Sequence, residues 1–222
     1  MELKEAIMKR CSVRGYLDKP VSQETIREVL KLAVRAVSGE NCQPWEFFVA
    51  AGDKLEELKE YNMTALRERF PVDRVDAGVP EGIFKTRSRT VGKALLGAME
   101  IARENREGRN WWGERGYRFF DAPAVIFLLM DESLEETAYR LDMGCVAQNI
   151  TLAAMEKGLG TCVEDQAVTY QKGARKILGI PENKRFVVGI SIGYPDEEFP
   201  ANHVISEREP VDNITTWCGF ES

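Results

Sequence analysis

Apolar residues recur at helical spacing in the first part of the chain. Leu3, Ala6 and Ile7 predict a short helix that ends near Arg10. A second helix is expected after Ser22, a good N-cap that is followed by Glu24 in the first turn. The apolar positions of this second helix are Ile26, Val29, Leu30, Ala33 and Val37.

Aromatic and β-branched residues mark the strands. We predict strands at residues 45–50, 124–130, 161–163 and 186–194, of which the second is apolar throughout and is expected to be buried. Helices are predicted at residues 142–157 and 171–178, and Gly179 closes the latter. The helix at 142–157 has small or apolar residues on several faces, which indicates burial in a core or in an interface.

The region from about residue 54 to 117 is charged and carries weaker helical signals. Its best predicted helices are residues 57–69 and 93–106, and residues 71–89 are predicted to be a mobile connection. The stretch at 195–222 has little regular pattern. Because helices and strands do not alternate as in βαβ units, we expect an α+β fold in which helices cover a small mixed sheet.

Composition narrows the class of protein. The 222 residues are 44% hydrophobic and carry a net charge of -6, which allows a substantial core and does not indicate a nucleic-acid-binding surface. No apolar leader follows Met1, and the longest apolar run is too short to span a membrane, so we expect a cytoplasmic protein with no membrane partner.

Cysteine and histidine usage argues against a metal centre. The five cysteines are scattered and contain no Cys-x-x-Cys pair, which argues against a disulfide framework, a zinc ribbon or an iron–sulfur cluster. The single histidine, His203, excludes a His-rich metal site. We therefore expect no bound metal.

Four segments carry candidate chemistry. Residues 10–14 place two guanidinium groups and a hydroxyl just after a helix, which suits a phosphate or the carbonyl edge of a ring, although a solvated basic turn explains them as well. Residues 38–45 either offer polar groups to a ligand or make turn hydrogen bonds. The glycines of residues 158–165 permit close backbone approach or form a plain helix-to-strand turn. Arg208 lies in an irregular tail, where a surface role is the alternative.

The order and spacing of these segments resemble the nitroreductase family of FMN enzymes from about residue 3 to 213. The matching stretches are residues 9–14, 18–21, 38–45, 122–125, 148–149, 158–161, 178–181, 193–195 and 208–210. The resemblance implies one FMN-binding domain over residues 1–222, with a mainly antiparallel sheet and an intertwined homodimer. In this arrangement residues 54–117 are a variable helical insertion that roofs the flavin, and residues 195–222 are an extended tail.

The resemblance also implies roles for individual residues on one wall of the flavin site. Arg10 and Ser12 match residues that hold the FMN phosphate, and Arg208 matches the C-terminal arginine that completes this phosphate site. Arg14 matches the residue at the pyrimidine edge of the flavin, where a cation stabilises the reduced ring. The expected cofactor contacts also include Cys11 and Ser206.

The other flavin contacts are expected from a loop and a strand. Ser38 and Asn41 match a loop that reaches the flavin from the partner subunit. Val163, Glu164 and Asp165 match a stretch whose backbone runs beside the flavin, with an amide near N5. No side chain is expected to act as the catalytic group.

Three positions depart from the family pattern. Val37 stands where proline is common, Cys11 where a basic residue or histidine is frequent, and Val163 where tryptophan or proline often occurs. Val163 is followed by Glu164 and Asp165, and we hypothesise that these acids make the flavin's surroundings more negative and lower its reduction potential.

The implied reaction is hydride transfer from NADH or NADPH to the flavin, followed by reduction of a nitroaromatic, a quinone or an activated alkene in a ping-pong cycle. Alternatives are a specialised reductase or dehalogenase on the same fold, a flavin-binding protein without efficient turnover, and an unrelated α+β interaction domain. Aromatic residues of the middle region either roof the flavin or belong to the core or dimer contact; they are Trp111, Trp112, Tyr117, Phe119 and Phe120.

Overall fold

The apolar run that follows Pro123 forms a central strand of a four-stranded sheet. A computed structural model describes residues 2–74 and 78–220. The strands are β1 (Trp45–Ala51), β2 (Ala124–Asp131), β3 (Gly160–Glu164) and β4 (Lys184–Gly193), in the spatial order β1-β2-β4-β3. Every neighbouring pair is antiparallel. The predicted α+β fold is confirmed, with a sheet that is antiparallel rather than mixed among these four strands.

Helices pack on both faces of this sheet. Within the described ranges they are α1 (Leu3–Lys9), α2 (Gln23–Ala33), α3 (Gly52–Glu68), α4 (Gly82–Ala98), α5 (Arg106–Tyr117), α6 (Glu136–Glu156) and α7 (Gln171–Leu178).

Alternate side chains of β2 enter two different cores, because successive residues of a strand point to opposite faces. On one face Ile126 and Leu128 pack in a core that includes Val29 of α2 and residues of α6. On the other face Phe127 packs with Leu58 of α3 and with residues of α7. The sheet is therefore the middle layer between two groups of helices.

Local signals predicted several helix ends correctly. The Ser22 hydroxyl accepts a hydrogen bond from the Thr25 N–H at 3.1 Å, which confirms Ser22 as the N-cap of α2. Gly179 adopts φ 67° and closes α7. However, α2 ends at Ala33, so Val37 lies beyond the helix and is 71% exposed.

The weakly patterned middle of the chain differs most from the prediction. α3 begins at Gly52 rather than at residue 57, and α4 begins at Gly82, inside the predicted connection at 71–89. α4 ends at Ala98, so the helix predicted at 93–106 is wrong. α4 carries charged and polar residues between its apolar ones and buries only Leu95, so the sequence gives a weak helical signal there. The sequence did not predict α5, because three glycines interrupt its helical pattern. Residues 75–77 of the predicted connection lie outside the described residues.

α6 is longer than predicted and is covered on one face only. It begins at Glu136 rather than at residue 142, after Glu135, whose carboxylate accepts the Thr137 N–H at 3.4 Å. Met143 and Ile150 are buried in the core, whereas Leu141 is exposed. The chain by itself therefore covers only one face of this helix.

The C-terminal tail confirms the expected lack of regular pattern. Between Gly193 and Phe220 it contains only two short 3-10 turns, Pro200–His203 and Val211–Asn213. Among the helices of residues 2–74 and 78–220, none combines the length and apolar character needed to cross a bilayer.

A lysine ties three strands together at one end of the sheet. The Lys184 ammonium lies 2.6 Å from Glu46 Oε1 and 2.9 Å from Asp131 Oδ2. The hydroxyl and backbone N–H of Ser133 and the side-chain amide of Asn183 also donate to the Asp131 carboxylate. The hydrogen bonds from Ser133 and Lys184 hold the pKa of Asp131 well below its ordinary value.

This cluster makes the stability of the fold sensitive to acid. We expect D131N to lower the melting temperature near neutral pH, and we expect the difference from wild type to shrink as the pH is lowered. The native pKa is depressed, so ionised Asp131 stabilises the fold above its unfolded pKa and ceases to do so as the pH falls through the native value. Circular dichroism melts from about pH 7 to about pH 2 measure this. D18N, at an exposed aspartate, is the control. An equal loss for D131N at every pH would contradict the assignment.

Candidate functional site

The segment at residues 10–14 docks against the outer edge of β3. Ser12 forms a parallel bridge with Thr161, and the Val13 N–H donates to the Thr161 carbonyl at 2.9 Å. A Cβ at Gly160 would overlap the Val13 side chain at 2.4 Å, so this glycine permits the close approach. Two segments that are far apart in sequence are thus joined at one sheet edge.

Asn202 ends this pairing and was not anticipated from the sequence. Its side-chain Oδ1 accepts the backbone N–H of Arg14 at 2.7 Å and that of Gly15 at 3.1 Å, and its Nδ2 donates to the Gly15 carbonyl at 2.8 Å. The parallel pairing therefore stops at Thr161. Beyond that point no described strand covers the edge of β3, and Val163 is 45% exposed there.

Polar and cationic side chains lie along the same segment. Arg10, Ser12 and Arg14 are half-buried. In the described part of the chain the Arg10 guanidinium makes no hydrogen bond or ion pair, whereas Arg14 Nη1 donates to the Ser12 carbonyl at 3.2 Å. The Cys11 thiol lies 3.9 Å from the Asn202 carbonyl oxygen. An uncommitted guanidinium two residues from a hydroxyl along the segment fits an anionic group such as a phosphate.

Glu164 is buried at the end of β3. The Ser191 hydroxyl donates to its Oε1, and no group of the described chain bonds to its Oε2. Burial raises the pKa of Glu164 to about 8, against smaller opposing effects of Ser191 and of the nearby Arg14 guanidinium. The carboxyl group is therefore mostly neutral near pH 7. The hypothesis that Glu164 adds negative charge to the site is wrong at neutral pH, and only Asp165, which is exposed, remains as a candidate for that effect.

Cys162 carries no nucleophilic chemistry. Its side chain is buried. Burial and, to a smaller extent, the charge of the neighbouring Glu164 raise the pKa of the thiol to about 12. A thiol that remains protonated at neutral pH is a poor nucleophile.

Ser38 and Asn41 lie in a separate place, against α6. The Ser38 hydroxyl accepts the Gln43 N–H at 3.1 Å, and the Gly39 N–H donates to Asp142 of α6 at 3.1 Å. Asn41 and Gln43 adopt left-handed φ values of 59° and 50°. Among the described residues no hydrogen bond joins this loop to residues 10–14, so a single chain does not assemble the two predicted groups.

The tail residues Ser206 and Arg208 form a third group. Arg208 Nη1 donates to the Ser206 hydroxyl at 2.7 Å, and the adjacent Glu209 pairs with Arg87 of α4 at 2.6 Å. Arg208 lines a cleft along α4 and shares no hydrogen bond with Arg10 or any other part of residues 10–14 in the described structure.

The aromatic residues of the middle region divide between core and surface. Phe119 and Phe120 are buried, and Phe119 stacks edge-to-face on Phe127 of β2 with ring centroids 5.9 Å apart. Trp111 of α5 is 41% exposed. Phe119 is therefore a core residue, and Trp111 remains a candidate for the roof of a site.

Comparison with known proteins follows the same segments. The Nitroreductase family matches residues 7–194. A 4-nitrobenzoate reductase of Nocardioides sp. (strain LMS-CY) is 32% identical, with 98% of this chain and 90% of the relative covered. A chloronitrobenzene nitroreductase of Comamonas testosteroni is 31% identical over 96% of this chain and 95% of its own length.

Solved structures agree with this result. The chain superposes on the FMN and NADPH-dependent nitroreductase NfnB from Sphigopyxis sp. strain HMH with a TM-score of 0.93 at 28% identity, covering 99% of this chain and all 100% of the other. It matches the FMN-dependent nitroreductase NfnB from Mycobacterium smegmatis, solved in complex with NADPH, with a TM-score of 0.89 at 31% identity and 97% coverage of each chain.

The buried carboxyl group of Glu164 makes stability depend on pH. Its native pKa of about 8 lies above its ordinary value of 4.5, so its contribution to stability is complete below about 4.5 and is lost as the pH rises towards 8. Because one pKa unit corresponds to about 1.4 kcal/mol, we expect a loss of a few kcal/mol across this window. E164Q, which stays neutral, should lack this loss.

The measurement is the free energy of unfolding from urea titrations at several pH values between about 4.5 and 9. E104Q, at an exposed glutamate, is the matched control and should follow the wild-type curve. Parallel curves for wild type and E164Q would show that Glu164 is ionised in the folded protein.

Proposed function

This chain belongs to the nitroreductase family, and from that premise we propose that it binds FMN, accepts hydride from NADPH or NADH and reduces a small nitroaromatic compound. The relatives that support the acceptor class are reductases of 4-nitrobenzoate and chloronitrobenzene. The similar structures that support the cofactors are FMN-dependent, and one of them is complexed with NADPH.

The observation that carries the proposal is the docking of residues 10–14 at the open edge of β3. We propose that Arg10 and Ser12 hold the FMN phosphate, because the Arg10 guanidinium has no partner in the described chain. Arg14 would face the pyrimidine edge, where its positive charge favours the reduced ring. Cys11 lies between these residues, and Arg208 with Ser206 would reach the phosphate only after the tail moves or from a second copy.

The uncovered part of the β3 edge fits the flat ring of a flavin. The exposed Val163 lies there, and we propose that the backbone of Val163, Glu164 and Asp165 runs beside the ring. Because Glu164 is mostly neutral near pH 7, it does not neutralise the nearby Arg14 guanidinium. A cation without a competing carboxylate stabilises the added electrons of the reduced state.

Bound FMN supplies two-electron transfer, and the chain supplies binding and orientation. Cys162 is protonated and buried, so it does not compete as a nucleophile. The uncovered edge of β3 supports a ping-pong order, in which the nicotinamide and the nitroaromatic acceptor use the same space in turn. We propose that the half-exposed Trp111 contributes to the roof of that space.

We further propose a homodimer in which Ser38 and Asn41 complete the flavin site of the partner. Supporting this, one chain exposes many large apolar side chains, which monomers in water rarely do in contiguous patches. They lie on α1, on α4 and in the tail, and include Leu3, Ile7, Met8, Ile83, Phe84, Ile205, Val211, Ile214, Trp217 and Phe220.

The domain organisation follows from the same proposal. We propose that residues 1–222 form one FMN-binding domain, that residues 54–117 are the variable insertion beside the site, and that residues 195–222 extend across the partner. We also propose that the enzyme acts in the cytoplasm.

The absorption spectrum of the purified protein tests the cofactor and the reaction. We expect a yellow protein with flavin bands that NADPH or NADH bleaches anaerobically, and we expect 4-nitrobenzoate to restore the oxidised spectrum. Stopped-flow absorbance measures both half-reactions. A protein that neither contains nor takes up FMN would refute the proposal, and a flavin that neither nucleotide reduces would refute the reductase activity while leaving flavin binding intact.

Light scattering coupled to size-exclusion chromatography tests the dimer. We expect wild type to have twice the mass of the 25.1 kDa chain. F84D, which places a charge on the exposed apolar face of α4, should shift the mass towards the monomer because burying an unpaired charge is unfavourable. K85D, a charge change at the adjacent residue, is the control for altered net charge. A monomeric wild-type protein at micromolar concentration would contradict the proposal.

A further inference from the structure

Arg115 is a buried cation that links α5 to the segment at residues 10–14. From the last turn of α5, its Nη2 donates to the Arg14 carbonyl at 2.9 Å and to the Phe120 carbonyl at 3.1 Å. Its Nη1 lies 2.9 Å from Asp121 Oδ2. The planar guanidinium group thus reaches three separate oxygens, which a lysine ammonium with a single nitrogen atom does not reproduce.

Two aromatic rings hold this guanidinium in place. Its Cζ lies 5.3 Å from the Trp111 ring centroid and 4.9 Å from the Phe199 ring centroid. Phe199 also packs where a Cβ at Gly15 would lie, 2.1 Å from its ring. Cation–π contacts gain strength when the cation is desolvated, as Arg115 is here.

The turn that Arg115 contacts has an unusual backbone. Phe119, Phe120 and Asp121 adopt consecutive left-handed φ values of 57°, 51° and 59°. Each such residue costs roughly 1–2 kcal/mol when it is not glycine, so surrounding contacts must hold the turn. Arg115 donates to the carbonyl of Phe120 and pairs with the side chain of Asp121, and these contacts fix the position of the Phe120 ring.

Arg14 contacts the same ring. Its guanidinium Cζ is 5.8 Å from the Phe120 ring centroid, and its carbonyl accepts from Arg115. Arg115 therefore holds the backbone of Arg14 directly. Through the turn, it also holds the Phe120 ring, which the Arg14 side chain contacts. Asn202 holds the Arg14 N–H from the opposite side.

We propose that Arg115 is a positioning residue that fixes the Arg14 guanidinium against the flavin and thereby sets the flavin reduction potential. This inference rests on the proposed function, in which Arg14 faces the pyrimidine edge. A misplaced Arg14 stabilises the reduced ring less, so loss of Arg115 makes the potential more negative. The affected contact is with the ring, and the phosphate contacts of Arg10 and Ser12 remain.

The decisive measurement is the flavin midpoint potential of the holoenzyme in a double-mutant cycle with R14A. We expect R115K to shift the potential in the negative direction, as R14A does. We expect R115K added to R14A to cause no further shift, because Arg115 acts through Arg14. A purely structural role would lower the melting temperature without moving the potential.

Flavin affinity provides a second readout. R115K should weaken the binding of FMN and of riboflavin by the same factor, on the order of tenfold, because the charged contact of Arg14 with the flavin ring is lost. Riboflavin has the same ring and lacks only the phosphate, so both ligands report on this contact. R10M is the contrasting control, since it should weaken FMN but not riboflavin. R118M is the matched structural control, because Arg118 also pairs with Asp121 at 2.9 Å but does not contact Arg14.

The outcomes separate the inference from the proposed function. A flavin-free wild-type protein would refute both. If R14A shifts the potential and folded R115K does not, or if R118M shifts it as much as R115K, the positioning role is refuted and the function stands.

If R115K fails to fold, D121N weakens the same guanidinium site at a more exposed position. A smaller negative shift in D121N supports the role, and a wild-type potential in folded D121N overturns it.

Discussion

Burial of β2 on both faces is the constraint on which the rest of the structure depends. Its side chains are apolar on both sides, so helices must cover both faces of the sheet. α2 and α6 cover one face and α3 and α7 the other. β4 fills the position next to β2 and leaves β3 at the edge. Residues 10–14 meet the sheet at this edge.

The chemistry of the site follows from its position at this edge. A strand edge offers backbone groups that need partners. Ser12 and Val13 satisfy those near Thr161, and Asn202 stops the pairing there. Burial keeps Glu164 mostly neutral near pH 7, so this carboxyl group does not offset the charge of the Arg14 guanidinium, which lies in a half-buried environment. Charge interactions are stronger in such an environment than in water, which gives the placement of one guanidinium a large effect.

One chain does not bring together the residues proposed for the flavin site, and it leaves many large apolar side chains exposed. Ser38 and Asn41 lie against α6, Arg208 lies along α4, and neither group meets residues 10–14. The exposed apolar side chains are concentrated on the same peripheral elements. A second copy would cover these surfaces and bring the separated groups together, which accounts for both observations with one contact.

The sequence by itself determined the four strands, the start of α2, the end of α7 and the segments that form the candidate site, because periodicity, caps and glycines act locally. It did not reveal α5, the start of α4, Asn202 or Arg115. α5 lacks an apolar stripe, and a lone arginine has no local signature. The left-handed turn at Phe119–Asp121 contains no glycine, so it has no local sequence signature, and side-chain contacts from Arg115 and Arg118 hold it. The protonation of Glu164 was likewise decided by the tertiary structure, because desolvation depends on neighbours that are remote in the chain.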